Sequence, residues 1–268
     1  MNLKRLPAAA GLVASALICW AACGPAAAEV IPVPAEDAKG PPTLTLYWEA
    51  AESTAVLILI PGGDGRLNLK PRQVTIDNQF YQTLKQLGQG GDPGRHVDVV
   101  LFDSPEPLDP NPKGYPSSRA TAEHLSRIHS VIAFYKASTG KPVWLMGHSN
   151  GAVSVTEYLR YLAKTGEATQ IAGVIVSSAR NVAYFDSAPL HLPLLFMSHR
   201  KDGCPDSNPN VSVGNFRQVQ GRNTARTAFV FIETGEAEAK SPCESGYHMY
   251  NHATDEVVAA LRSFIAPL

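Results

Sequence analysis

The order of apolar segments predicts an α/β protein with a mainly parallel central sheet and helices on both of its faces. Short, mostly apolar runs such as Ala55–Ile60 (AVLILI) and residues 97–102 (VDVVLF) are typical of strands that are covered on both faces. They alternate with segments such as residues 121–136, in which apolar residues recur at helical spacing. Strands that alternate with helices favour parallel pairing, because each helix carries the chain back across the sheet.

This alternation continues along most of the chain. Strands are predicted at residues 44–48, 55–60, 97–102, 143–146, 171–176, 192–197 and 227–232. Helices are predicted at residues 79–87, 121–136, 152–163, 211–220 and 254–265. Two proline-rich segments interrupt the pattern: residues 30–42 are interpreted as an extended lead-in, and residues 104–116 as an irregular surface loop.

The N-terminal residues have the pattern of a secretory signal peptide. A basic start precedes an uncharged apolar run at residues 8–22, and three alanines at residues 26–28 form a small-residue cleavage pattern. The run is shorter than the roughly 20 residues that a membrane span needs. We therefore predict a signal peptide at residues 1–28, a single domain at residues 29–268 and a periplasmic or secreted protein without a membrane span. A retained N-terminal anchor and lipidation at Cys23 are the alternatives.

The charge of the chain limits the class of partner. The formal net charge is −1 at pH 7, and no block of Lys or Arg is present. A near-neutral chain without a basic patch disfavours nucleic acids and anionic membranes as partners. We expect a small-molecule substrate, and the composition favours no particular oligomeric state.

The sequence Gly147-His148-Ser149-Asn150-Gly151 is the main candidate for a catalytic motif. It lies between a predicted strand and a predicted helix, which is the context of a nucleophile elbow. The residues two positions before and after the serine of such a strained turn must lack side chains, and two glycines stand there. Ser149 is therefore the predicted nucleophile. We expect His148 to be structural, because an immediate neighbour of the serine points away from it.

Two backbone N–H groups are predicted to stabilise the oxyanion that an attack by Ser149 would form. One belongs to Asn150, at the start of the helix after the elbow. The other belongs to Gly63 in the glycine-rich loop at residues 61–65, with Asp64 as the next candidate. Without side chains, this loop can bring its backbone close to a substrate carbonyl. An ordinary glycine turn is the alternative.

The acid and the base of a catalytic triad are expected after the nucleophile, in that order. Asp202 comes just after a late predicted strand, whereas Asp206 and Asp186 follow a strand end less closely. His248 and His252 both lie between the last predicted strand and the last predicted helix. His248 is favoured as the base, because His252 adjoins the start of that helix.

Cys204 and Cys243 are predicted to form a disulfide. They are an even pair outside the leader of an exported chain, where cysteines commonly pair. A metal site is the alternative, and the absence of C-x-x-C spacing disfavours it. The bridge would tie the loop of Asp202 to the loop of His248.

Three groups of residues carry a resemblance to a known family. They are Pro61-Gly62-Gly63 after a strand, KPVWLMGHSNG at residues 141–151, and Asp202-Gly203-Cys204 followed by Cys243 and His248. On these residues the chain resembles the α/β-hydrolase superfamily over nearly its whole mature length, and above all the exported bacterial members. His248-Met249-Tyr250 stands where such proteins often read His-Gly-Tyr, with Glu256-Val257-Val258 downstream. That register favours His248 over His252, whereas Met249 in place of glycine departs from the pattern.

The resemblance implies a serine hydrolase that cleaves an ester or related acyl bond through an acyl-enzyme. Ser149 would attack, His248 would shuttle the proton, Asp202 would orient His248, and the N–H groups of Gly63 and Asn150 would hold the oxyanion. The resemblance implies neither a cofactor nor a metal ion. A peptidase or a thioesterase is the nearest alternative enzyme, and an inactive binding protein on the same fold is the alternative outside enzymes.

Overall fold

The computed structural model describes residues 28–35, 40–109, 117–166, 170–185, 191–238 and 241–265. The predicted signal peptide, apart from its last residue, lies outside the described residues. So do residues 110–116 of the predicted surface loop and the weaker acid candidate Asp186.

A mainly parallel sheet forms the centre of the described part of the chain. Its strands are β1 (Ala28–Val33), β2 (Thr43–Trp48), β3 (Ala55–Ile60), β4 (Val97–Asp103), β5 (Val143–His148), β6 (Gly173–Ser177), β7 (Leu194–His199) and β8 (Thr227–Ile232). They lie side by side in the order β1-β2-β4-β3-β5-β6-β7-β8. The strands from β3 to β8 pair in parallel, while β1 and β2 pair in antiparallel fashion at one edge.

Strand β1 differs from the predicted lead-in at residues 30–42. Its residues pair with β2 over the whole strand, with Pro32 opposite Leu44. Proline cannot donate a backbone hydrogen bond, which argues against a central strand but not against an edge strand. The prolines therefore do not prevent an edge strand, because the backbone of β1 forms hydrogen bonds with a neighbouring strand on one side only.

The helices cover both faces of the sheet. They are α1 (Gln79–Lys85), α2 (Ala122–Thr139), α3 (Asn150–Thr165), α4 (Pro209–Gln220) and α5 (Thr254–Ile265). Buried residues of α2, α3 and α4 share one hydrophobic core with one face of the sheet, and those of α1 and α5 share a second core with the other face. This confirms the predicted architecture. Among the described residues, no helix is both long and apolar enough to cross a membrane.

The end of β5 and the start of α3 differ from the predicted positions, and both lie at the turn that carries Ser149. The strand was predicted to end at residue 146 and the helix to begin at residue 152, but β5 continues to His148 and α3 begins at Asn150. A single residue, Ser149, separates them. The turn is therefore tighter than the hydrophobic pattern indicated, because the motif residues themselves complete the strand and the helix.

The predicted site residues follow the carboxyl ends of three parallel strands. The loop of Gly63 follows β3, Ser149 follows β5, and Asp202 follows β7. Loops after the carboxyl ends of parallel strands meet at one edge of the sheet, where α/β proteins form their ligand sites. The loop between β8 and α5 brings His248 to the same region.

Candidate active site

The backbone of Ser149 is held in a strained conformation between β5 and α3. Its φ is 54° and its ψ is −120°, a region that residues with side chains rarely occupy. A Cβ on Gly147 would lie 2.4 Å from the Gly151 carbonyl oxygen, and a Cβ on Gly151 would lie 2.0 Å from the Ile60 carbonyl oxygen. Both glycines are therefore required sterically, as expected for a nucleophile elbow.

The loop after β3 lies directly against this turn. A Cβ on Gly62 would lie 2.9 Å from the Cβ of Ser149, so only glycine permits this approach. The Gly65 N–H donates to the Gly62 carbonyl at 2.9 Å and closes a four-residue turn in which Gly63 has a φ of +55°. Positive φ at the second position of a turn favours glycine. Among the described residues, the Gly63 N–H has no hydrogen-bond acceptor.

Asn150 contacts the same loop from the start of α3. Its side-chain Nδ2 donates to the Gly63 carbonyl oxygen at 2.9 Å. Its backbone N–H belongs to the first turn of the helix, whose N–H groups point toward the helix start. The structure thus brings Gly63 and Asn150, the two predicted oxyanion residues, to Ser149.

Asp202 and His248 form a buried pair. The Nδ1 of His248 lies 2.8 Å from Oδ2 of Asp202, and both side chains are fully buried. The second carboxylate oxygen accepts the Cys204 N–H at 2.9 Å, which holds the Asp202 side chain in place. An ionised carboxylate only accepts hydrogen bonds, so Nδ1 carries the proton and Nε2 of His248 is left with its lone pair.

The structure does not join Ser149 and His248 by a hydrogen bond. The buried Nε2 of His248 has no partner among the described residues. The His248 ring centroid lies 5.1 Å from that of His148, the residue before Ser149. The hydrogen bond between a serine nucleophile and its base is often long in the absence of substrate and shortens when substrate binds. The arrangement leaves Nε2 available to take a proton.

His148 is buried beside the turn of Ser149. Its Nδ1 lies 3.1 Å from Ser177 Oγ, and its Nε2 lies 3.1 Å from Sδ of Met249. Burial, with a smaller effect from His248, holds the pKa of His148 well below its usual range, so this ring is neutral. The sulfur of Met249 therefore contacts a nitrogen of this neutral ring.

The alternative acid and base lie elsewhere. The side chain of His252 is 58% exposed and lies 3.7 Å from a Glu236 carboxylate oxygen. Asp206 forms an ion pair with Arg180 at 2.9 Å. Neither is arranged as Asp202 and His248 are.

Comparisons with solved structures reveal the fold family. An α/β serine hydrolase without a lid from Xanthomonas campestris is similar with a TM-score of 0.56 at 12% identity, over 89% of this chain and 93% of that one. An α/β serine hydrolase homologue from Coxiella burnetii is similar with a TM-score of 0.58 at 14% identity, over 89% of this chain and 97% of that one. Dienelactone hydrolase from Anabaena variabilis is similar with a TM-score of 0.57 at 14% identity, over 90% of this chain and 97% of that one. This chain has the α/β-hydrolase fold. The sequence itself matches no protein-family model and no curated protein.

A disulfide links two loops of this α/β-hydrolase fold. Cys204 and Cys243 are bonded, with their Cα atoms 4.6 Å apart and a separation of 39 positions in sequence. Cys204 lies two residues after Asp202, and Cys243 lies five residues before His248. The bond therefore ties together the two loops that carry the buried carboxylate–imidazole pair.

A pocket of about 330 Å³ opens at Ser149. Its wall combines the glycine loop with apolar and charged side chains: Gly62, Gly63, Asp64, Arg66, Leu67, Ile76, Asn78, Tyr81, His148, Ser149, Cys243, Glu244 and Met249. Asp64 and Arg66 pair with each other at 2.5 Å on this wall. The volume of the pocket lies at the lower end of the range of small-molecule sites.

Two residues that support the site of this α/β-hydrolase fold are not predicted by the sequence patterns. The guanidinium of Arg119 donates to the Gly63 carbonyl at 2.9 Å. The Asp103 carboxylate, at the end of β4, accepts the backbone N–H groups of Leu67, Asn68 and Leu69 and so holds the loop of the pocket wall. No local pattern marks Arg119, whereas an aspartate at a strand end was a signal that could have identified Asp103.

Proposed function

We propose that the protein is a serine hydrolase that cleaves an ester or related acyl bond through an acyl-enzyme intermediate. The observation that carries this proposal is the Asp202–His248 pair, because it leaves a buried Nε2 without a partner next to the turn of Ser149. A buried nitrogen without a partner costs stability, and in His248 it belongs to the ring that packs against His148, the residue before Ser149. The structural likeness to serine hydrolases and esterases supports the same proposal.

In the first step, Ser149 Oγ attacks the substrate carbonyl carbon while its proton moves to Nε2 of His248. The carbonyl oxygen becomes an oxyanion, which the N–H groups of Gly63 and Asn150 stabilise. His248 then gives the proton to the leaving group as the bond to the acyl carbon breaks. Asp202 holds the neutral imidazole in the required tautomer and stabilises the imidazolium that forms when His248 takes the proton.

In the second step, water replaces the leaving group. His248 takes a proton from the water as the water oxygen attacks the acyl carbon of the Ser149 ester. The proton returns to Ser149 Oγ when the new tetrahedral intermediate collapses, which releases the carboxylic acid. The cycle needs only residues of this chain and water.

The pocket favours short acyl groups. Its volume of about 330 Å³ and its apolar wall of Leu67, Ile76 and Tyr81 suit a small acyl chain. We expect p-nitrophenyl acetate and butyrate to be hydrolysed faster than the octanoate ester. Ser149→Ala should abolish turnover. An acetyl thioester and an acetyl-amino-acid anilide assayed in parallel separate thioesterase and peptidase activity, and no Ser149-dependent turnover of any of them favours a binding protein.

We propose export to the periplasm or the medium, with cleavage after Ala28. The Cys204–Cys243 disulfide supports this location, since disulfides persist in oxidising compartments. Cleavage at that position would leave residues 29–33 of β1 paired with β2. N-terminal sequencing of the protein from a periplasmic fraction should begin at Glu29. A start at Cys23 would indicate lipidation, and a start at Met1 would indicate a retained leader.

A further inference from the structure

Arg119 is a fully buried cation beneath the loop of Gly63. It lies in the short 3-10 turn Ser118–Ala120 that precedes α2, and its residue exposure is 0%. Its Nη2 donates to the Gly63 carbonyl at 2.9 Å, and its Nη1 donates to Ser154 Oγ at 2.8 Å. None of the ion pairs in the described part of the chain includes Arg119.

Burial without a carboxylate in direct contact is costly for a guanidinium. Desolvation lowers the pKa of Arg119 to about 10, while the more distant charges of Asp64 and Asp109 act in the opposite direction. The side chain therefore remains a cation at neutral pH. Its neighbour His124, whose Nε2 lies 2.9 Å from Ser154 Oγ, is neutral because burial lowers its pKa to about 3. Arg119, Ser154 and His124 thus form a buried cluster with one positive charge, which lies on Arg119 beneath the loop of Gly63.

The contacts of Arg119 fix a residue that is flexible by nature. Gly63 has a positive φ and no side chain to restrain it. The peptide group before it is held by the Gly65 N–H bond to the Gly62 carbonyl. The peptide group after it is held by Arg119 and Asn150, which both donate to the Gly63 carbonyl. With both flanking peptide groups held, the direction of the Gly63 N–H is set.

We propose that Arg119 is a positioning residue for the oxyanion hole and acts through the Gly63 carbonyl. The inference rests on the proposed function, because it assigns a role in the same reaction. A preorganised N–H stabilises the oxyanion more than a mobile one, since no reorganisation is needed as charge develops. The loss of Arg119 therefore affects the transition state more than substrate binding.

Arg127 is the control for Arg119, with the difference that it forms an ion pair with Glu123 at 2.9 Å. It is also a buried arginine and donates to a backbone carbonyl, that of Pro41, at 2.8 Å. Pro41 lies outside the pocket wall and outside the loop of Gly63. Both Arg119→Gln and Arg127→Gln remove a buried guanidinium and are expected to lower Tm. Only Arg119→Gln is expected to lower kcat.

The test measures kcat, KM and Tm for the full chain with p-nitrophenyl butyrate, with kcat expressed per folded molecule. We expect Arg119→Gln to lower kcat by roughly 10- to 100-fold, somewhat less than direct removal of an oxyanion donor, with KM changed less than about threefold. Arg127→Gln should keep the wild-type kcat. Arg119→Lys keeps the charge but offers one nitrogen in place of the two that donate to the Gly63 carbonyl and to Ser154 Oγ, so kcat should fall about tenfold and Tm should also fall.

The outcomes separate this inference from the proposed function. If the wild type hydrolyses the ester and Arg119→Gln or Arg119→Lys keeps its kcat per folded molecule, the role of Arg119 is refuted and the hydrolase remains. Equal losses of kcat in Arg119→Gln and Arg127→Gln also refute it, because a general packing effect then explains both. A wild type without Ser149-dependent hydrolysis or serine labelling overturns the proposed function and this inference together.

Discussion

The side-chain amide of Asn150 donates to the carbonyl of Gly63 at 2.9 Å, so the two residues whose backbone N–H groups form the proposed oxyanion hole are bonded to each other. One lies at the start of α3 and the other in the loop after β3. The bond couples the position of one donor to that of the other. A change that moves the loop of Gly63 should therefore lower the rate of acylation even when Ser149 and its base are intact.

Replacement of Asn150 by alanine tests this coupling. The backbone N–H of residue 150 remains, but the Gly63 carbonyl loses one of its two side-chain donors. We expect kcat for a short ester to fall on the order of tenfold with little change in KM, because the bond orients a donor rather than the substrate. Asn223→Ala is the matched control, since Asn223 Nδ2 donates to the Leu192 carbonyl at 2.8 Å, away from the pocket. Equal kcat values for both variants would contradict the coupling.

The identity of the base is tested by two histidine variants. His248→Ala should lower kcat by about 10⁴-fold or more, because Ser149 would lose the group that accepts its proton. His252→Ala should leave kcat within about twofold, since this exposed side chain contacts only Glu236 among the ion pairs described. Asp202→Asn should also lower kcat by roughly 10⁴-fold through the wrong imidazole tautomer. A large loss in His252→Ala instead would move the base to His252.

The disulfide is expected to affect activity more than folding. Cys243→Ser frees the loop of His248 from the loop of Asp202, whose carboxylate is held by the Cys204 N–H. Because a triad needs its groups within a narrow geometry, we expect a loss of kcat that exceeds the loss of folded protein. Circular dichroism and ester hydrolysis on the same sample compare the two. Equal losses would mean that the bond supports only the fold.

Stability should fall in mild acid because of buried neutral histidines. Burial lowers the pKa of His124 from 6.5 to about 3, and that of His148 is lowered as well. Between pH 6.5 and 3 these two residues therefore bind more protons in the unfolded chain than in the folded chain, so their contribution to the free energy of unfolding decreases as pH falls. The slope from one such group is at most about 1.4 kcal/mol per pH unit.

A single substitution isolates the contribution of His124. Glutamine at position 124 does not titrate and can still bond Ser154 Oγ. Urea denaturation at several pH values should give a shallower acid slope for His124→Gln than for the wild type. Above pH 7 the two curves should run parallel, because neither state then takes up protons at this residue. Equal slopes below pH 6 would contradict a buried neutral His124.

The sequence was sufficient for the architecture, because the central strands are mostly apolar and the longer helices have an apolar face. Strand β8 (Thr227–Ile232) and helix α5 (Thr254–Ile265) have the bounds that the pattern predicts. Strand β1 was missed because Pro32 is a poor strand residue except at an edge. Edge position is a tertiary property that no local pattern carries.

Residues of the candidate site that belong to one short motif could be predicted from the sequence. Residues that support the site from a distant part of the chain could not. The glycines around Ser149 are imposed by the turn itself, so the motif identified the elbow from sequence alone. Arg119 and Gly63 are 56 positions apart in sequence, and nothing near Arg119 in the sequence indicates that they are in contact. Sequence patterns report a residue's own element, whereas a supporting contact depends on how distant elements pack.

The central claim is that Ser149 is a nucleophile activated by His248. Labelling of the oxidised, folded protein with a fluorophosphonate probe, followed by peptide mapping, tests it most directly, because the probe reacts with an activated serine whatever the natural substrate. We predict modification at Ser149 in the wild type, strongly reduced modification in His248→Ala and unchanged modification in His252→Ala. A folded wild type that is not modified at Ser149, or a His248→Ala variant that is labelled as fast as the wild type, would contradict the claim.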